Sequence, residues 1–155
     1  MPPVELTCAV NEGESCMAKV VIIGAGFAGH TAALYLAKNL GRDHEITVIN
    51  RYDYFLFIPS LVWVGVGRMN PKKTHFSLEK VYKKRGIRFM KASAKSIHAD
   101  ENYVMVESDN QSVRVDYDYL IVATGPNLDY DATEGMGPKH GHSVSICTLD
   151  HAIEA

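Results

Sequence analysis

Gly24, Gly26 and Gly29 form a Gly-x-Gly-x-x-Gly pattern directly after the apolar run Lys19 to Ile23. Glycines at that spacing let a chain turn tightly, bring bare backbone against a diphosphate, and pack a helix close to a strand. The backbone of Gly24, Ala25, Gly26, Phe27, Ala28 and Gly29 then offers amide donors at the positive end of the helix that follows. By itself the pattern also suits a glycine-rich turn with no ligand. About 20 residues further on, such sites usually carry an acid for the ribose hydroxyls. Asn50 stands there, 50 − 29 = 21 residues after Gly29. Asn hydrogen-bonds a hydroxyl without bringing charge, and Arg51 beside it suits a 2′-phosphate. The loop alone therefore leaves FAD, NAD and NADP open. Cys147 is the other residue with chemistry in it. A single Cys beside Ile146 is more often a small buried hydrophobe than a nucleophile. Thr148 suits an N-cap, which puts Cys147 at the start of a final helix, and helix N-termini favour thiolates. Asp150 in the same turn opposes one. Histidine titrates near neutrality, so His151 suits a proton acceptor as well as a structural role.

These residues need elements to hold them. Lys19 to Ile23 suits a strand buried on both faces of a parallel sheet. His30 to Leu40 reads as a helix with Ala33, Leu36, Ala37 and Leu40 on one side, stopped by Gly41. Glu45 to Ile49 is a second strand, completing a strand–helix–strand crossover. Tyr52 to Trp63 is aromatic, contains Pro59 and reads as an irregular loop. Ser77 is placed to cap a short helix with Leu78, Val81 and Tyr82 inward and Gly86 at its end. Ile87 to Met90 is a third strand. Lys95 to His98, Tyr103 to Glu107 and Ser112 to Val115 read as a small antiparallel meander, with a turn at Asp109-Asn110-Gln111. Tyr119 to Ala123 is another buried strand, stopped by Thr124-Gly125-Pro126. Asn127 to His142 reads as loop. The final helix opens near Thr148 and nothing in the sequence terminates it, so the 155 residues read as a piece of a longer protein, incomplete at the C-terminus.

Composition excludes several classes. Apolar residues are 46% and charged residues 22%, the mix of a globular chain. A chain of this size hides roughly 68–70% of its unfolded surface, enough for a core. The net charge is 16 − 18 = −2 with no basic stripe, which argues against a nucleic-acid partner. Cys8, Cys16 and Cys147 are too few for a disulfide framework and lack zinc-ligand spacing, so no metal is expected. No run reaches the roughly 18 apolar residues of a spanning helix. Met1 to Cys16 lacks the pattern of a signal peptide and reads as a disordered extension ahead of Met17. Cys8 and Cys16 receive no role. His75, His98, His140 and His142 show no ligand spacing and read as surface residues. Lys72-Lys73 and Lys83-Lys84-Arg85 read as solvated faces, with a weak contact to an anionic membrane as the alternative.

Asp118-Tyr119-Leu120-Ile121-Val122-Ala123-Thr124-Gly125 lies about 100 residues after the glycine loop. An acid, a buried strand and Ala-Thr-Gly at that distance resemble the flavoproteins with two dinucleotide-binding domains, in which the first glycine loop binds FAD. Asp53 to Ser60, Trp63-Val64-Gly65-Val66-Gly67 and Ser145 to Ala152 narrow the resemblance to the sulfide:quinone oxidoreductases. Flavocytochrome c sulfide dehydrogenases and type II NADH:quinone oxidoreductases are near relatives. The resemblance implies a Rossmann-like, FAD-binding α/β fold: a parallel sheet with an inserted antiparallel β-meander. It implies an FAD-binding part over 17–126, and a linker and the start of a second dinucleotide-binding-like domain over 127–155. It implies FAD as cofactor, with Asn50 and Arg51 near the adenosine ribose and Ala94 near the adenine. Ile58 and Pro59 are then expected near the flavin, and Thr124 and Gly125 near the phosphate or ribityl chain. Sulfide and quinone are the implied substrates. Cys147 aligns with the first redox-active cysteine and His151 with a family histidine. The whole protein is expected to be a peripheral membrane protein, docking through a C-terminal region beyond this chain, with a homo-oligomer as an open option. The 155-residue piece alone is expected to have little activity. A reading outside catalysis is an inactive flavin-fold interaction module.

Overall fold

The computed structural model describes residues 17–138 and 141–155. The expectations for Met1 to Cys16 and for His140 lie outside the described residues. The chain divides into two units, one built from residues up to Asp53 with Ser77–Gly125, the other from Tyr54–Phe76 with Pro126–Ala155.

The first unit contains strand β1 (Lys19–Ile23), helix α1 (Phe27–Asn39) and strand β2 (Glu45–Asn50). Between β2 and the rest of that unit the chain passes through the second unit, with β3 (Tyr54–Leu56), α2 (Leu61–Gly65) and β4 (His75–Ser77). The first unit resumes with α3 (Leu78–Arg85), β5 (Arg88–Lys91), β6 (Ser93–His98), β7 (Tyr103–Ser108), β8 (Gln111–Asp116) and β9 (Tyr119–Val122). Strands β5-β2-β1-β9 form one four-stranded sheet. All its pairings are parallel, with Ile22 opposite both Val48 and Ile121. Strands β6-β7-β8 form the antiparallel meander. The expected α/β fold with its inserted meander is therefore present.

Strand alternation explains the core. Val21, Ile23 and Ile49 project from one face of the parallel sheet and pack with Val104, Val106 and Tyr117. The alternate residues Val20, Ile22 and Val48 are also buried, on the side where α1 meets β1 and β2. Both faces are covered, which is why these strands read as unbroken apolar runs. Helix α3 buries Leu78 and Tyr82 completely. It ends at Gly86 in the left-handed conformation, φ 71°, with Lys83, Lys84 and Arg85 in the last turn facing the negative end of the helix dipole. Ser77 stands at the N-cap position, but its side chain makes no capping bond. The Asp109-Asn110 turn has both residues at positive φ, 49° and 62°, which is the twist a tight hairpin needs.

The second unit corrects the reading of Tyr52 to Trp63 as a loop. That stretch holds β3, a 3-10 turn over Ile58–Ser60 and the start of α2. Strand β3 pairs with β4, and Phe55 stacks on Phe76 with centroids 5.1 Å apart. Pro59 does not break this structure, because a helical turn tolerates proline in its first positions. Helix α4 (Leu149–Glu154) supplies Ala152 and Leu149 to a core with Leu61 and Val64 of α2. Its N-cap is Thr148, whose Oγ1 accepts the His151 N–H at 3.3 Å.

Candidate functional site

The glycine loop joins β1 to α1. Gly24 sits at φ +97°, and a Cβ there would lie 2.3 Å from the Ala123 carbonyl oxygen. A Cβ on Gly29 would lie 1.9 Å from the Gly24 oxygen and 3.3 Å from the Ala123 Cβ. These two glycines let the helix and the end of β9 close on the loop. Gly26 is different: nothing lies within 4 Å of where its Cβ would be. Gly26 is the N-cap of the 13-residue helix α1, with no side-chain cap and no acid in the first turn. A long helix whose positive end is uncapped and faces open space is suited to an anion.

An open cleft of about 320 Å³ starts at this loop. Gly24, Asn50, Arg51, Ala94, Lys95 and Thr124 line it. The strands converge here because β1, β2 and β9 run parallel and end together. Open parallel sheets place ligands at the carboxyl ends of their strands. The cleft thus gathers expected residues from four places in the sequence. Ala25, Phe27, Ala28 and Gly29 continue the loop into α1. Gly125 follows Thr124 at φ +73°. Lys95 was not anticipated; it lies one residue beyond Ala94 in an alternating strand, where the sequence gives no sign of a cleft. It pairs with Glu107 at 2.5 Å. Asn50 is held more closely than expected. Its Oδ1 accepts the Ala25 N–H at 3.1 Å and its Nδ2 donates to the Tyr52 carbonyl at 2.8 Å.

The remaining expected residues belong to the second unit. Ile58 and Pro59 form the 3-10 turn, with Ile58 exposed. Cys147 is a free, exposed thiol just before the Thr148 cap. Its N–H donates to Ser145 Oγ at 3.1 Å, and Tyr130 donates its hydroxyl to the same oxygen at 2.6 Å. Ser145 is buried. The His151 Nδ1 is buried and makes no hydrogen bond, while the Tyr130 ring lies edge-on with centroids 6.2 Å apart. Ser145 opens the Ser145 to Ala152 segment, but nothing in the sequence pointed to Tyr130 as its partner. Among the described residues, no helix is long and apolar enough to cross a membrane.

The family profile described as pyridine nucleotide-disulphide oxidoreductase matches residues 18–155. The chain belongs to this family. Members bind flavin and pyridine nucleotide, and the cleft fits such a dinucleotide on its own evidence: the bare face of Gly26, the uncapped helix and the crowded Gly24 and Gly29. The sulfide-quinone reductase of Aquifex aeolicus is 36% identical over 138 residues, 89% of this chain and 30% of that protein. The crystal structure of the sulfide:quinone oxidoreductase from the same bacterium superposes with a TM-score of 0.75 at 35% identity, covering 88% of this chain and 30% of that one. The type II NADH:quinone oxidoreductase of Staphylococcus aureus is 32% identical over 76% of this chain and 29% of that protein. The resemblance to sulfide:quinone oxidoreductases is borne out. The chain spans about 30% of the length of these curated relatives.

Proposed function

We propose that this oxidoreductase chain is the FAD-binding part of a flavoprotein that oxidises sulfide and reduces a membrane quinone. The observation that carries the reading is the cleft, where the glycine loop, Asn50, Arg51, Ala94 and Thr124 meet. The amides opening α1 would hold the diphosphate. Arg51 would serve the ribose, Ala94 the adenine, and Thr124 and Gly125 the phosphates or ribityl chain. The resemblance would assign Ile58 and Pro59 to the flavin. When bound, FAD supplies a two-electron acceptor. In this reading residues 17–126 are the N-terminal part of the FAD-binding domain, and 127–155 are the linker and the start of a second dinucleotide-binding-like domain.

The exposed Cys147 thiol supports sulfide as donor, together with the similarity to a sulfide-quinone reductase. In this reading hydrosulfide gives up its proton and two electrons, and its sulfur becomes bonded to a cysteine sulfur. His151 would take that proton, the two electrons are those that a bound FAD would accept, and the quinone would be reduced by two electrons and take up two protons. Contact with the membrane surface is assigned, on the resemblance, to a C-terminal region beyond this chain.

The test is anaerobic titration of the natural full-length protein with sulfide while its flavin absorbance is followed. Bleaching that a quinone reverses, and that Cys147→Ser slows by at least tenfold, is the expected result. Bleaching by NADH and not by sulfide overturns the choice of donor and favours the NADH:quinone reading that the Staphylococcus relative supports. A protein purified and reconstituted without any flavin overturns the FAD reading itself.

A further inference from the structure

We propose that Asn50 is a positioning residue, which ties the glycine loop to the end of β2 and sets the shape of the nucleotide cleft. An acid is usual at this place because a carboxylate accepts from the ribose hydroxyls. Here both polar atoms of the side chain already have backbone partners. Oδ1 accepts from the Ala25 N–H at 3.1 Å, and Nδ2 donates to the Tyr52 carbonyl at 2.8 Å. The backbone carbonyl of Asn50 accepts the Ala92 N–H at 3.0 Å. One residue thus joins three segments: the glycine loop, the chain leaving β2, and the connection between β5 and β6. Gly24 and Ala92 both line the cleft, so Asn50 links two parts of its wall.

The chemistry of the tie explains why a carboxamide stands there. The partners are one donor and one acceptor, and an amide is one acceptor and one donor. Rotating the amide by half a turn would oppose donor to donor and acceptor to acceptor, so the partners fix its orientation. A carboxylate would keep the bond from Ala25 but face the Tyr52 carbonyl with no proton between them. The departure from an acid is the requirement of the tie.

The inference rests on the FAD reading for its ligand, while the tie itself is a property of the unliganded chain. The full chain is tested by amide hydrogen exchange without nucleotide, and by calorimetric binding of ADP and of 2′,3′-dideoxy-ADP. In Asn50→Ala the Ala25 amide is expected to exchange at least tenfold faster than in the parent chain. ADP and dideoxy-ADP are expected to weaken by the same factor, roughly tenfold, the loss of about one net hydrogen bond. The isosteric Asn50→Asp is expected to keep the Ala25 amide slow yet bind ADP more weakly than the parent. A loss seen with ADP and absent with dideoxy-ADP would make Asn50 a ribose ligand and overturn the proposal. So would unchanged exchange at Ala25, or tighter ADP binding by Asn50→Asp. If the parent chain binds neither nucleotide, the FAD reading fails, and the exchange result alone upholds or overturns the tie.

Discussion

Alanine at Gly26 and alanine at Gly29 have opposite expected effects, although the two glycines belong to one motif. At Gly29 the new Cβ meets the backbone oxygen of Gly24 at 1.9 Å, with no flexible side chain to move aside. Overpacking of that kind costs about 1–3 kcal/mol, so thermal unfolding of Gly29→Ala should fall by several degrees. At Gly26 the backbone is ordinary, with φ −72°, and the Cβ meets nothing within 4 Å. Gly26→Ala should unfold within about 1 kcal/mol of the parent chain. Its methyl group occupies the face left open for a diphosphate, so FAD titration should weaken by about tenfold or more, the equivalent of roughly 1.4 kcal/mol. Equal loss of stability in both variants would remove the distinction. These roles were legible in the sequence because each glycine acts on its immediate surroundings. The tie from Asn50 was not, because its partner Ala25 lies across a helix and a turn. The bond from Tyr130 to Ser145 beside Cys147 was hidden because its partners stand 15 residues apart in a stretch with no periodic pattern to bring them together.

Between elements, a partly buried pair links α1 to α3. His30 Nδ1 lies 3.0 Å from the Tyr82 hydroxyl, and Tyr82 is fully buried. Burial pushes the His30 pKa below 6.5 and the Tyr82 pKa upward. The unfolded chain therefore binds more protons at this histidine than the folded chain does, from pH 6.5 down to the lowered value. The stability contributed by neutral His30 is present above pH 6.5 and is lost as pH falls through that window. The expected result is a melting temperature that drops more steeply between pH 7 and pH 5 in the parent chain than in His30→Gln. Parallel slopes would show that His30 does not titrate across folding. Strands and helices of this unit were readable from sequence because their burial is strongly patterned: Val20 to Ile23 is buried without interruption. The elements between Tyr52 and Ser77 were not. Strand β3 is three residues long and needs β4 as its partner. Helix α2 is five residues long, too short for a periodicity to show.

At the scale of the molecule, the two units have separate cores. One is built on Val21, Ile49, Val104 and Val106, the other on Leu61, Val64 and Ala152. The second core joins segments far apart in sequence, since α2 precedes the meander and α4 ends the described chain. It is also small and tightly made: a Cβ on Gly65 would meet Ile146 Cγ2 at 3.1 Å and the Ala152 carbonyl at 3.7 Å. The specific Trp-Val-Gly-Val-Gly and Ser-Ile-Cys-Thr segments noted in the sequence thus meet in one place, with Gly65 admitting the approach of Ile146 and α4. Removing residues 148–155 takes Leu149 and Ala152 out of that core and leaves the first one whole. Amides of α2 should then exchange faster by orders of magnitude, because a five-residue helix has no stability of its own in water. Amides of β1 and α1 should keep their protection, and ADP, which needs only the cleft of the first unit, should bind the shortened chain as it binds the parent. If β1 and α1 lose protection together with α2, the two cores unfold as one cooperative structure. The nucleotide cleft would then depend on the segment that carries Cys147, and a substitution around that cysteine would be felt in cofactor binding as well as in sulfur chemistry.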